Sequence, residues 1–188
     1  EISLGLVGSE MCIRDRAYLR MYDVTRGLRE NGTFLLNTVW NGEELAKHLP
    51  NRVKRYFAQK NITVYYINAT QIALEIGLGN RTNTILQSAF FKLANIIPEE
   101  DAINLMKAAA KATYGRKGDK IVQMNYDAID AGAKQVVEIQ VPESWKDAAD
   151  EGLHMTHATE GRQEVVDFVN NIQAKVNAQE GNTLPVST

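Results

Sequence analysis

The opening EISLGLVGSEMCIRDR joins an apolar run, a glycine turn and the only cysteine of the chain, Cys12. Chemistry there could take two forms. GLVGSE could cradle a phosphate on its backbone N–H groups. Such a loop runs from a strand into a helix, however, and MCIRDR offers neither a cap nor a sustained helical face. Arg14 and Arg16 could lower the pKa of the Cys12 thiol; the plainer alternative is a buried or incidental thiol. His154 and His157 in HMTH are spaced to share a metal, but no nearby pattern supplies a third ligand. Glu43 and Glu44 read as first-turn helix charges rather than an acid/base pair. His48, ahead of Leu49 and Pro50, reads as a surface or helix-end residue, and Trp40 and Trp145 as packing anchors. There is no GxSxG motif and no nucleophile–base set.

Amides and basic loops leave more open. GLGNRTN (77–83) lies between two helical patterns. Glycine would cap the first helix and Asn80 or Thr82 the second, which puts Asn83 in a first turn, just after Arg81. QMN (123–125) places Asn125 inside a helical pattern, where an ordinary polar position is the plain reading. YGRKGDK (114–120) is basic; it could approach phosphates or be a solvated helix end.

These residues need elements to position them. AYLRMYDVTRGLRENG predicts a short helix from about Asp23, closed by Gly32. TFLLNTVW (33–40) and ITVYYIN (62–68) predict strands, the first of them buried. Between them NGEELAKHLP offers Asn41 as N-cap with Glu44 three residues on, and RVKRYFAQKN continues as a second short helix. ATQIALEIGLG predicts a helix ended by glycine. In 81–98, Ile85, Ala89, Leu93 and Ile96 recur at helical spacing, widened by Leu86, Phe90 and Ile97. Residues 98–115 start with Pro98 and acids and end with Lys111 and Gly115, as a helix dipole favours. DKIVQMNYDAIDAGAKQ is a further helix, VVEIQV (136–141) a third strand, and RQEVVDFVNNIQAKV an amphipathic helix. NAQEGNTLPVST reads as a linker. Strands alternating with helices predict an α/β fold with a mainly parallel sheet flanked by helices.

At 188 residues the chain suits one domain or part of a longer protein. Its 44% hydrophobic and 23% charged residues are ordinary for a globular domain, and a net charge of −2 gives no pull toward nucleic acid or an anionic membrane. No apolar run nears the roughly 20 residues of a membrane span, and no signal peptide is indicated, so a cytoplasmic location is expected. One cysteine cannot form an internal disulfide.

Two resemblances organise these readings. LVGSEMCIRDR resembles the translation of a sequencing-library transposase adapter, so residues 1–16 are expected to be an artefact and are set aside from the fold. Residues 17–188 then hold no cysteine. They resemble the pyruvate:ferredoxin (flavodoxin) oxidoreductase family along NGTFLLNTVW, INATQIALEIGLGNRTNTILQSAFFKLANIIP, YGRKGDKIVQMNYDAIDAGAKQVVEIQVPESW and NAQEGNTLPVS, in the family's order. The resemblance implies a gamma-type 2-oxoacid oxidoreductase domain over 17–176, N-terminally truncated, and a linker over 177–188 toward an iron–sulfur portion.

That family oxidises pyruvate with thiamine diphosphate, Mg and [4Fe-4S] clusters, passing electrons to ferredoxin or flavodoxin and the acetyl group to coenzyme A. Clusters need several cysteine thiolates, so they are expected elsewhere in the parent enzyme, as is thiamine diphosphate. The role the resemblance implies here is coenzyme A binding, by Asn83 and Asn125 with Arg81 as a phosphate candidate, together with packing against the remaining domains. Amides suit the peptide-like bonds of pantetheine. The parent is expected to be a homodimer with no nucleic-acid or membrane partner, and the chain alone inactive and poorly soluble, because a sheet without its upstream strands exposes an edge. A purely structural domain and a free-standing gamma subunit are the rival readings.

Overall fold

The computed structural model describes residues 4–7, 19, 23–149, 157–177 and 180–185, the first of these as backbone only. β1 (Leu4–Val7), β2 (Thr33–Asn37), β3 (Thr63–Ile67) and β4 (Val137–Ile139) form one sheet in chain order. β2 pairs in parallel with both β1 and β3, whereas β4 runs antiparallel to β3. The chain is therefore α/β with a mainly parallel sheet. Phe34, Leu35 and Leu36 are all buried, as in a strand covered on both faces. Each such side chain contributes about 1.5–3 kcal/mol through its burial.

Between β2 and β3 run α1 (Gly42–His48) and α2 (Asn51–Gln59). The Asn41 side chain accepts from the Glu43 and Glu44 N–H groups, and Glu44 accepts from the Asn41 N–H at 3.3 Å. This is the capping box that the sequence predicts. Leu45, Leu49, Val53 and Phe57 of this pair pack on Phe34, Leu36 and Val64, making the core of one sheet face.

The other face carries α3 (Ala69–Ile76), α4 (Asn83–Ala94), α5 (Glu99–Tyr114) and α6 (Asp119–Lys134). Ile72, Ala73, Ile85, Ala89 and Ala128 meet Leu35 and Ile67 there. Alternation along the strands thus sends successive side chains to the two helical layers. The β2 and β3 ends are tied by Asn37, whose side-chain oxygen accepts from the Ala69 N–H at 3.0 Å. α4 and α6 lie close because Gly132 has no side chain: a methyl there would overlap the Ile85 carbonyl oxygen. Ser88 Oγ donates to Ile129 O at 2.6 Å across the same contact.

Several expectations need correction. Residues 23–32 form turns, not a helix, because Asp23 accepts from both the N–H and the hydroxyl of Thr25 and Gly27 takes φ +81°. The α4 stripe stops short of Ile96, which is 67% exposed; Asn95 turns into the left-handed region at φ 46° and ends the helix. The amphipathic helix after Arg162 is divided: α7 (Gln163–Phe168) passes through a π turn (Val169–Gln173) into α8 (Ala174–Asn177). Asn170 in that turn grips the Ala158 backbone, donating to its carbonyl at 3.0 Å and accepting from its N–H at 2.8 Å. Leu4–Val7, within the stretch set aside at the start, pairs with β2 as β1, which leaves the adapter reading of residues 1–16 unchanged. Cys12, Arg14, Arg16 and His154 lie outside the described residues.

Candidate functional site

α4, α5 and α6 enclose a cavity of about 210 Å³. α4 contributes Asn83, Thr84 and Gln87; α5 contributes Met106, Ala109, Ala110, Thr113 and Tyr114; α6 contributes Asn125 and Ile129. Local sequence explains the arrangement. Gly77 closes α3 at φ +89°, and Gly79 at φ +62° turns the chain so that α4 can begin at Asn83. Ala109, Ala110 and Thr113 of α5 fill little of the space that they line.

Two residues singled out from the sequence, distant in the chain, therefore border one cavity. Asn83 is exposed, at the first residue of α4. Asn125 is 5% exposed. Its amide nitrogen donates to Ile121 O at 2.8 Å, one turn back in α6, and among the described residues its side-chain oxygen has no hydrogen-bond partner. That oxygen is reached by solvent through the cavity, where a ligand's donor could take the place of water. Arg81 is exposed and does not line the cavity; its backbone N–H donates to Leu78 O at 3.4 Å. Thr84, Gln87, Met106 and Thr113 were not singled out. Gln87 lies one turn on from Asn83, and Met106, Ala110 and Thr113 follow helical spacing, so an i, i+4 reading outward from Asn83 was the available signal.

The remaining polar candidates have structural settings. Glu44 serves the capping box. His48 ends α1 and stacks on Trp40, with ring centroids 4.4 Å apart. Trp40 and Trp145 both pack on the α1–α2 core, and the Lys54 ammonium lies 5.9 Å over the Trp145 ring. No group of three or more metal-ligating side chains occurs among the described residues, and no helix there is long and apolar enough to cross a membrane. A second, wider groove of about 670 Å³ runs along β4 and is lined by Asn41, Tyr66, Val137, Glu138, Pro142 and Trp145. Beside it the Tyr65 hydroxyl donates to Glu138 at 3.2 Å. Burial first, then the Glu138 charge and that bond, raise the Tyr65 pKa above its ordinary value.

The family model described as pyruvate ferredoxin/flavodoxin oxidoreductase matches residues 10–135, a stretch that includes α1 to α6 and both cavity asparagines. The chain belongs to that family. The pyruvate:ferredoxin oxidoreductase of Moorella thermoacetica is 43% identical over 172 residues, covering 92% of this chain but 14% of that protein. The pyruvate-flavodoxin oxidoreductase of Enterobacter agglomerans is 43% identical with the same coverage. The chain thus spans about one seventh of these oxidoreductases. Among solved structures, the pyruvate oxidoreductase subunit PORC of Thermotoga maritima has a TM-score of 0.51 at 21% identity, over 67% of this chain and 62% of that one, a likeness of fold.

Proposed function

We propose that this chain is the coenzyme A-contacting segment of a pyruvate:ferredoxin or pyruvate-flavodoxin oxidoreductase, which converts pyruvate, coenzyme A and oxidised acceptor to acetyl-CoA, CO2 and reduced acceptor. One observation carries the reading: Asn83 and the buried Asn125, distant in the chain, border the same cavity, with the Asn125 oxygen open to it. The pair offers what a pantetheine arm needs, namely donors and acceptors for its amides beside apolar walls from Met106, Ala110 and Ile129. Arg81, two residues ahead of α4, would reach a phosphate only from outside the cavity.

Within this reading residues 1–16 are adapter-derived, 17–176 form the domain and 177–188 a linker. β1 then takes the place of a strand that the natural polypeptide would supply. The parent carries the thiamine diphosphate, Mg and [4Fe-4S] clusters on its remaining domains, which are this chain's packing partners. It is a cytoplasmic homodimer that delivers electrons to ferredoxin or flavodoxin. The isolated chain, with no cysteine set for a cluster, is inactive.

The test is substitution in the full-length enzyme. Asn83→Ala and Asn125→Ala should each raise KM for coenzyme A by roughly 5- to 10-fold, the worth of about one hydrogen bond, and leave KM for pyruvate unchanged. Unchanged coenzyme A kinetics in both variants would favour the rival structural reading. That reading draws on the Asn125 bond to Ile121 O, which makes the side chain a self-contained helix feature.

A further inference from the structure

The last long helical stretch of the described chain turns its apolar side outward. α7, the π turn and α8 run without a break from Gln163 to Asn177. Val165, Phe168, Val169, Ile172 and Val176 recur at i, i+3, i+4, i+7 and i+11, which is one stripe of a helix. Gln163, Asp167, Asn170 and Ala174 mark the opposite side. That opposite side is the one held in place: Ala174 is buried, and Asn170 grips the Ala158 backbone through both ends of its amide. The stripe is open. Phe168 is 53% exposed, Val165 45% and Val176 54%. None of its five side chains belongs to the core on either face of the sheet. A surface helix ordinarily buries its apolar stripe and shows its polar side, so this one is arranged for a partner beyond the described residues.

Size and length choose that partner. The open stripe amounts to roughly 300 Å² of apolar surface, far less than the ~800 Å² per partner that a free-standing complex buries. A second copy or a separate protein would need more contact than the stripe offers. A domain tethered in the same chain does not, because linkage supplies an effective concentration in about the millimolar range. Such a domain has ample chain to come from: the relatives match 92% of this chain with only 14% of their own length. Glu164, Gln173 and Lys175 flank the stripe, so the complementary face is apolar at its centre and polar at its edge.

We propose that the stripe from Val165 to Val176 is a docking seam for an apolar face of another domain of the same polypeptide, with Phe168 as its central anchor. The inference rests on the reading of the chain as one segment of a longer oxidoreductase, and is independent of the coenzyme A contact.

Photo-crosslinking in the full-length enzyme tests it. A photoreactive phenylalanine analogue (p-benzoylphenylalanine) is placed at position 168, and in a second sample at position 167 on the opposite side. Position 168 should link to a peptide outside residues 1–188 without doubling the mass of the polypeptide, at least about fivefold more than position 167. A link that doubles the mass would overturn the proposal in favour of contact between copies. Links confined to residues 1–188, or none at all, would also overturn it. Tryptic cleavage at Arg162 and Lys175 supplies a second readout. Phe168→Asp should speed it about 10-fold by opening the seam, while Phe168→Leu and Asp167→Ser stay within twofold of wild type. Unchanged cleavage in Phe168→Asp would count against a buried seam. A natural gene product no longer than this chain defeats the reading underneath, whereas a longer product with position 168 open to solvent defeats this inference alone.

Discussion

The two sides of the sheet both offer a concavity, and they differ in kind. The groove along β4, beside the α1–α2 layer, is about three times the volume of the cavity between α4, α5 and α6. Its polar groups are largely accounted for. Asn41 caps α1, and Glu138 accepts from Tyr65. The smaller cavity instead brings together two amides from different helices, the exposed Asn83 and the largely buried Asn125. Amides converging from two helices, not size, make the smaller concavity the better fit for a peptide-like ligand.

The largest effect expected from breaking this contrast comes at Gly132. Gly132→Ala must push α4 from α6, because the new methyl overlaps the Ile85 carbonyl. A cost of about 1–3 kcal/mol should lower the thermal midpoint of the segment in the full-length enzyme, and coenzyme A affinity should fall with it as Asn83 moves from Asn125. A variant with unchanged midpoint would show that the helix pair is looser than its geometry implies.

The β4 groove supplies the counterpart. Trp145→Ala removes a half-buried ring from the α1–α2 core and should destabilise by roughly 1–3 kcal/mol, less than a fully buried aromatic, yet leave KM for coenzyme A unaltered. A rise in that KM without loss of stability would move the ligand to the wrong face. Smallest is the effect at Tyr65. Its pKa is raised in the folded state, so the neutral phenol is favoured there; stability is full below the ordinary value near 10 and declines as pH rises through the folded one. Tyr65→Phe should flatten the alkaline limb of a pH–stability curve.

Much of this was legible because short-range chemistry set it. Asn41 and Glu44 announce the start of α1, Gly77 the end of α3, and the apolar run 33–40 a strand buried on both faces. The failures share a cause. At Asp23–Gly32 a side chain competing for its own backbone defeated helical periodicity, and at Ile96 a left-handed Asn95 stopped a stripe that the pattern carried on. For the site, resemblance picked out Asn83 and Asn125, but their meeting depends on α4 and α6 packing through Gly132, a contact no local pattern contains.

The most direct measurement is a structure of the full-length enzyme with coenzyme A bound. The account predicts density for the pantetheine arm between α4, α5 and α6, with the Asn83 and Asn125 amides at hydrogen-bond distance. Coenzyme A seated elsewhere, above all along β4 against Tyr66 and Trp145, would contradict it.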